Sequence, residues 1–270
     1  MSGAPSDLAG ILGVERVAER DFTATLASWW GEAQTFELFG RAVRAVLETG
    51  SALPLVAAHA RYFRKPKCLV PLRLSVESVD TGASHEARRV RVFGDGLVAE
   101  VTAELAARDR APEWGPPLPD SLPDPEALPS TRETAKREGW EDYAGGPLEF
   151  RRVNPAWPPP PEDQLRPHLE WLRPRTAVPP DPELHTAALA FASQFYPQWA
   201  FEWRAGREFR RDRFAILAHS VWLHEPAPWD DWWLVDAHSD VSRGGRALGQ
   251  RRIFARDGRL LATATHTATV

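Results

Sequence analysis

The spacing of apolar residues predicts a helix over residues 35–49, TFELFGRAVRAVLET. Apolar side chains recur there at the i, i+3, i+4, i+7 and i+8 positions of one helical face, namely Phe39, Ala42, Val43, Val46 and Leu47. Thr35 suits the N-cap position, and Gly50 can close the C-terminus. Glu37 would lie in the first turn, where the helix dipole favours a negative charge.

After this helix the period changes to two, which is the period of strands. Four segments show it: 59–66, 71–82, 87–96 and 97–106. In the second of them, Leu72, Leu74 and Val76 share one face, and polar residues share the other. Gly94-Asp95-Gly96 is a hairpin turn signal between the last two segments. One helix followed by an antiparallel meander indicates an α+β fold.

A proline-rich, charged segment without periodicity, residues 109–147, separates this pattern from a second version of it. It is predicted to be a linker with a short helical turn near TRETAKREGWEDY. Beyond it come a strand pair over 148–161 and 168–175, and a helix that Asp181 would cap with Pro182 at its first position. Four more strands follow over 214–224, 232–244, 246–258 and 260–270.

The two halves share the order of helix and strands and the position of their turns, since Asp95-Gly96 and Asp257-Gly258 both precede the last strand. This indicates an internal duplication. The predicted organisation is an N-terminal unit over 1–108, a linker over 109–147 and a C-terminal unit over 148–270.

Composition narrows the classes of function. Cys68 is the only cysteine, which fits a reducing compartment, and the chain shows neither a signal peptide nor a run of 18 apolar residues. We therefore expect a cytoplasmic protein without a membrane partner. A formal net charge of −4 disfavours nucleic acid as a partner. Most of the 12 tryptophans are expected in the core.

The second half resembles the type II acyl-CoA thioesterase family, whose members are double hotdogs made from one chain. The resemblance rests on the ALAFASQ helix end, AHSVWLHEP, the Trp-rich DDWWLV and IFARDGRLLATA, and it extends more loosely to helix 35–49 and the ARYFRKP strand. It implies an α+β double hotdog in which each half wraps a central helix in an antiparallel sheet. It also implies hydrolysis of an acyl-CoA or acyl-carrier thioester, with no cofactor and no metal.

In that family an aspartate, a threonine or serine and a glutamine position the attacking water. The resemblance places the aspartate on Gln194, the threonine on Ile216 and the glutamine on His266, so none of the three family residues is present. The glycine-rich entry to the first helix is also replaced, by Gln34-Thr35-Phe36-Glu37.

Three hypotheses remain open. The first is a thioesterase with a rebuilt site, in which His266 is the general base and Gln194 orients the water, since histidine titrates near neutrality. The second is a dehydratase or isomerase of acyl thioesters that uses Glu37 with His266 or His219. The third is a non-catalytic acyl-CoA-binding protein.

Basic residues that could contact the phosphates of CoA lie in two segments, Arg64 with Lys65 and Arg243 with Arg246. Asp236, His238 and Asp240 alternate along one strand and could hold a cation, although a solvated sheet face is the commoner arrangement. His219 and His224 would lie on opposite faces of their strand, so we expect no metal site from that pair. Because hotdog sheets often continue between subunits, we also expect a homo-oligomer.

Overall fold

The computed structural model describes residues 7–28, 32–109, 112–137, 139, 146–154, 159–225 and 227–270. The first half consists of two helices and six strands: α1 (Leu8–Leu12), β1 (Glu15–Arg16), β2 (Asp21–Thr25), α2 (Thr35–Glu48), β3 (Leu55–Tyr62), β4 (Pro71–Thr81), β5 (His85–Gly94) and β6 (Gly96–Ala106).

A short helix, α3 (Thr131–Arg137), precedes the second half. That half repeats the order with one additional helix: β7 (Leu148–Arg152), β8 (His168–Pro174), α4 (Pro182–Gln194), α5 (Gln198–Ala205), β9 (Ala215–Leu223), β10 (Trp233–Arg243), β11 (Arg246–Ala255) and β12 (Leu260–Thr269).

The twelve strands of the described chain form a single antiparallel sheet in the order β1-β2-β4-β5-β6-β3-β9-β12-β11-β10-β8-β7. The order reads as two mirrored sets of six that meet where β3 pairs with β9, with Ala58 opposite Val221 and Ala60 opposite His219. The predicted duplication therefore extends to a pairing that the sequence pattern missed, because β1 with β2 is the first-half counterpart of β7 with β8.

The helices α2 and α4 pack against each other in antiparallel directions inside the curved sheet. At one end the guanidinium Nη1 of Arg44 lies 2.7 Å from the Oδ2 of Asp181, and at the other the side-chain amide of Gln194 donates to the Oγ1 of Thr35 over 3.0 Å. The core between helices and sheet is continuous across both halves and includes Phe36, Phe191 and Phe195.

The helix boundaries follow the predicted signals except at one cap. Asp181 caps α4 by accepting from the amides of Glu183 and Leu184, and Gly50 lies in the left-handed region after α2, at φ +74°. Thr35 was predicted to be the N-cap of α2, but it is the first helical residue, and the N-cap is Gln34. The hydroxyl of Thr35 instead accepts a hydrogen bond from the second half.

The segment predicted to be a linker packs against the second half. Thr131 exchanges hydrogen bonds with the backbone of Phe150, and the indole of Trp232 donates to Glu126. Of the predicted helical turn, residues 131–137 form α3, whereas residues 138 and 140–143 lie outside the described residues. Nearby tryptophans are buried as expected, with Trp229 stacked on Trp233 at 4.2 Å between ring centroids.

Gly40 lies on the face of α2 that packs against α1 and α4. A Cβ at this position would lie 3.1 Å from the Cβ of Phe191 and 2.5 Å from the Cδ2 of Leu12. We expect Gly40→Ala to lower the free energy of unfolding by about 1 kcal/mol, since overpacking outweighs the helix propensity that alanine adds. Urea unfolding measures the change. Gly115→Ala, which would meet no atom within 4 Å, is the matched control. An unchanged or increased stability of Gly40→Ala would contradict the close helix crossing.

Candidate active site

A cleft of about 350 Å³ opens at the N-terminus of α2, between β3 and the segment that contains α5. Its walls combine charged, polar and aromatic side chains. They include Glu32, Gln34, Thr35, Tyr62, Arg64, Lys65, Gln198, Glu202, Phe209, Arg211, Phe214 and Ile216. Both halves of the chain therefore contribute to one cleft.

Gln194, the last residue of α4, forms hydrogen bonds with two residues that line this cleft. Its amide donates to the Oγ1 of Thr35 over 3.0 Å, and its Oε1 accepts from the hydroxyl of Tyr62 over 2.8 Å. Burial raises the pKa of the Tyr62 phenol, so the phenol is a neutral donor at physiological pH. These bonds fix the orientation of the amide. An amide takes up no proton at neutral pH, so Gln194, which is fully buried behind Thr35 and Tyr62, can hold these two cleft residues but cannot act as a base.

The start of α2 faces the cleft through Gln34 and Thr35. Gln34 makes no side-chain capping bond to the helix. Because a helix N-terminus carries a partial positive charge, it can stabilise a negative charge that develops on a carbonyl oxygen held there.

His266, predicted to be the general base, does not line the cleft. Its side chain is buried between Phe201, whose ring centroid is 5.3 Å away, and the surface of Gly249, where an added Cβ would lie 2.5 Å from the Nε2. Burial, reinforced by the charge of Arg251, lowers the pKa of His266 to about 3, against the smaller opposing effect of the Pro197 backbone. A base this weak is unsuited to activating water at neutral pH, so the sequence-based argument from its ordinary pKa is wrong.

His219 is buried beside His266, opposite it across the β9–β12 pair. Its Nε2 lies 2.9 Å from the Oγ of Ser193, and that hydroxyl donates to the carbonyl of Ala190. The hydroxyl proton is thus already engaged, so the Nε2 of His219 must be the donor to Ser193. Burial lowers the pKa of His219, and the pair has the wrong proton arrangement for an activated serine nucleophile.

Glu37 was predicted to lie in the first turn of its helix and, in one hypothesis, to pair with a catalytic histidine. It does lie in the first turn of α2, but its carboxylate is engaged within the first half. Its side chain is fully buried, accepts from the amide of Ala27 and forms an ion pair with Arg41 at 3.0 Å. The bond from the Ala27 amide fastens the start of α2 to the segment after β2.

Two cleft residues escaped prediction from the sequence. Tyr62 belongs to the ARYFRKP strand, but nothing in the pattern indicated that it would meet Gln194. Glu202 lies on α5, within the 195–214 segment, which is much longer than its first-half counterpart at 49–54. That length difference is the signal that could have drawn attention to Glu202.

A second cavity, of about 470 Å³, lies at the other end of the helix pair, beside the C-terminus of α2 and the start of α4. Its lining is mainly apolar. Leu223, the last residue of β9, lies there as Tyr62, the last residue of β3, lies in the first cleft. Although this cavity is larger, it lacks a counterpart of the hydrogen-bonded Gln194–Tyr62 pair.

A family model described as the acyl-CoA thioesterase C-terminal domain matches residues 119–270, which is more than half of the chain. The chain belongs to the acyl-CoA thioesterase family. It is accordingly a thioester hydrolase by family. The match begins inside the segment predicted to be a linker, which agrees with the packing of that segment against the second half.

Individual relatives agree with this assignment. Mouse acyl-coenzyme A thioesterase 8 is 25% identical over 256 residues, which cover 87% of this chain and 78% of the mouse protein. The fold matches that of a TesB protein from Mycobacterium avium at a TM-score of 0.81 and 23% identity, with 97% of each chain covered. An acyl-CoA thioesterase II, TesB2, from Mycobacterium marinum gives a TM-score of 0.79 and 22% identity, also with 97% of each chain covered. The expected double hotdog is thereby confirmed.

Ile216, which the resemblance aligns with the family's threonine, lines the cleft and is only 8% exposed, and it packs in an apolar cluster with Phe201 and Ala268. The cleft wall is therefore apolar at this position.

The two basic clusters are placed differently. Arg64 and Lys65 line the cleft, where Lys65 pairs with Glu32 at 2.7 Å and Arg64 donates to the carbonyl of Asp95 at 2.5 Å. Arg243 and Arg246 lie on the exposed β10–β11 hairpin and do not line it.

The acidic residues of β10 have partners within the protein. Asp236 is buried and binds Arg252 at 2.6 Å, and Asp240 lies 3.5 Å from His238. Across the described ranges, no group of three or more histidine, cysteine, aspartate or glutamate side chains is arranged to hold a metal ion. In the same part of the chain, no helix has the length and apolar character needed to cross a bilayer.

Replacing His266 by glutamine, the residue of the family pattern, tests whether His266 acts as the general base. We expect kcat for thiol release to stay within about threefold of wild type, with the same pH dependence near neutrality, because a group with a pKa of about 3 is not titrated there. Initial rates across the neutral range measure this, with circular dichroism as the control for folding. A decrease of about 100-fold in kcat for a folded variant would show that His266 is the general base after all.

Proposed function

We propose that this thioesterase hydrolyses acyl-CoA in the cleft at the start of α2, with a site rebuilt around Gln194, Thr35 and Tyr62. The observation that carries the proposal is the hydrogen-bonded amide of Gln194, which occupies the family's aspartate position and is held by two cleft-lining residues. The thioester carbonyl would lie at the N-terminus of α2, and the amide network would order the attacking water beside it.

A dehydratase or isomerase of the same fold has less support. That hypothesis required Glu37 to reach a histidine of the second half, whereas the Glu37 carboxylate is bound to Ala27 and Arg41. The non-catalytic hypothesis keeps one supporting observation, the apolar Ile216 in the cleft wall. It is the outcome to be expected if no thioester is cleaved.

The thiol carrier is proposed to be CoA, because Arg64 and Lys65 lie at the cleft and are able to contact phosphate groups. An assembly of several copies and a location in the cytoplasm stay predictions from the sequence.

The first experiment is thiol release from a panel of acyl-CoAs of short to long chain, including aromatic ones. We expect turnover by the wild type and a decrease in kcat of about 10- to 100-fold in Gln194→Leu, because leucine cannot hold the hydroxyls of Thr35 and Tyr62 that line the cleft. Gln250→Leu, the same change on β11 outside the cleft, should keep its activity. The proposed function fails if no acyl-CoA is cleaved, and the role of Gln194 fails if both variants match the wild type.

The carrier can be tested separately with Lys65→Glu. We expect KM for acyl-CoA to rise about tenfold while KM for the matching acyl-pantetheine, which lacks the nucleotide phosphates, changes little. Arg243→Glu reverses a charge on the hairpin that does not line the cleft and should leave both values near wild type. An equal change of KM for the two substrates would place the CoA phosphates elsewhere.

A further inference from the structure

We propose that Glu202 is the general base of this thioesterase and takes the place of the acidic residue that the family carries at the position of Gln194. The inference rests on the proposed hydrolysis. It starts from the absence of a base among the residues expected to act, since Gln194 is an amide, Ile216 is apolar and His266 lies off the cleft.

Glu202 is placed by α5, the helix without a counterpart in the first half. Its side chain lines the cleft although only 4% of it is exposed. Glu32, the other carboxylate of the cleft lining, is largely exposed and paired with Lys65. Glu202 is therefore the carboxylate that combines access to the cleft with a desolvated environment.

Arg211 holds this carboxylate in a two-pronged contact. Its Nε lies 2.8 Å from one oxygen of Glu202, and its Nη2 donates to the other over 2.8 Å. The Arg211 side chain is mostly exposed and also lines the cleft. Paired contacts of this kind fix the plane of a carboxylate, and the oxygen that accepts from Nη2 keeps a further lone pair for a water.

Burial raises the pKa of the Glu202 carboxyl above its ordinary value, against the opposing charges of Arg211 and Arg152. A carboxylate with a raised pKa is a stronger base once it is ionised. Further ionisable groups lie on the elements around α5 and across the cleft: His168 and Glu170 on β8, Asp236 on β10, Arg251 on β11, His266 on β12, and Glu32, Arg64 and Lys65 opposite.

The reaction balances with water as the co-reactant. The Glu202 carboxylate removes a proton from water as the water oxygen attacks the thioester carbonyl carbon, and the resulting oxyanion faces the start of α2. Collapse of this tetrahedral intermediate breaks the carbon–sulfur bond. The leaving thiolate takes the proton from Glu202. This step releases the CoA thiol and a carboxylic acid and regenerates the Glu202 carboxylate.

Glu202→Gln keeps the shape of the side chain and an oxygen for Arg211 but cannot accept the proton. We expect kcat to fall by about 100-fold or more, with KM within about threefold of wild type. Glu202→Asp should retain measurable turnover. Glu208→Gln, the same change just after α5 and away from the cleft lining, should behave as wild type.

The pH profile separates a base from a purely structural ion pair. Loss of Arg211 in Arg211→Gln removes a cation that lowers the pKa of Glu202, so the acidic limb of kcat should move to higher pH while turnover at alkaline pH persists. Glu202→Gln should show no such limb. A structural pair would instead give both variants similar losses, mainly in KM, without a shifted limb.

The outcomes distinguish this inference from the proposal beneath it. Wild-type turnover that persists in Glu202→Gln overturns the inference and leaves thioester hydrolysis standing. Absence of wild-type turnover on every acyl-CoA overturns both.

Discussion

The antiparallel crossing of α2 and α4 is the constraint on which the rest of the structure depends. Two duplicated helices packed in opposite directions must bring the N-terminus of each to the C-terminus of the other. Gly40 permits the close approach, because an added Cβ would lie 3.1 Å from the Cβ of Phe191 and 2.5 Å from the Cδ2 of Leu12. Every cleft at an end of the pair consequently combines a positive helix start from one half with side chains of the other.

A buried arginine binds the C-terminus of α4. The last carbonyls of a helix have no partners within it, and here buried Arg251 donates to those of Ala192 and Phe195 at 3.1 and 2.6 Å. Burial lowers the pKa of Arg251 to about 10, which still leaves it charged at neutral pH. Gln194 lies between these anchored carbonyls, so its amide is positioned by the backbone as well as by Tyr62 and Thr35.

Local patterns predicted most of the fold, whereas the site depended on contacts between distant segments. The periodicity of α2, the Asp181 cap and the Asp-Gly turns are short-range signals, and the structure contains each of them. Thr35 was wrongly predicted to be the N-cap because a threonine hydroxyl is a common helix cap. In the structure this hydroxyl accepts a hydrogen bond from Gln194 instead. No spacing along the chain could reveal that partner.

The histidines illustrate a second limit. A sequence shows that His266 can titrate near neutrality, but only the packing of Phe201 and the neighbouring charge of Arg251 determine that it does not. The prediction that Glu37 pairs with a histidine failed for the same reason. Its carboxylate binds the Ala27 amide, and that contact depends on the tertiary position of the segment after β2. Candidate acids and bases are therefore identified by residue type but selected by burial.

The two ends of the helix pair differ. One end joins Thr35, Tyr62 and Gln194 in a polar network, while the other has a mainly apolar cavity and the Arg44–Asp181 pair. In the proposed mechanism the base belongs to α5, so a carboxylate at position 194 would add a second negative charge close to the same water. Two neighbouring carboxylates raise each other's pKa, and one would tend to hold a proton. A neutral amide at the end of α4 avoids this second charge.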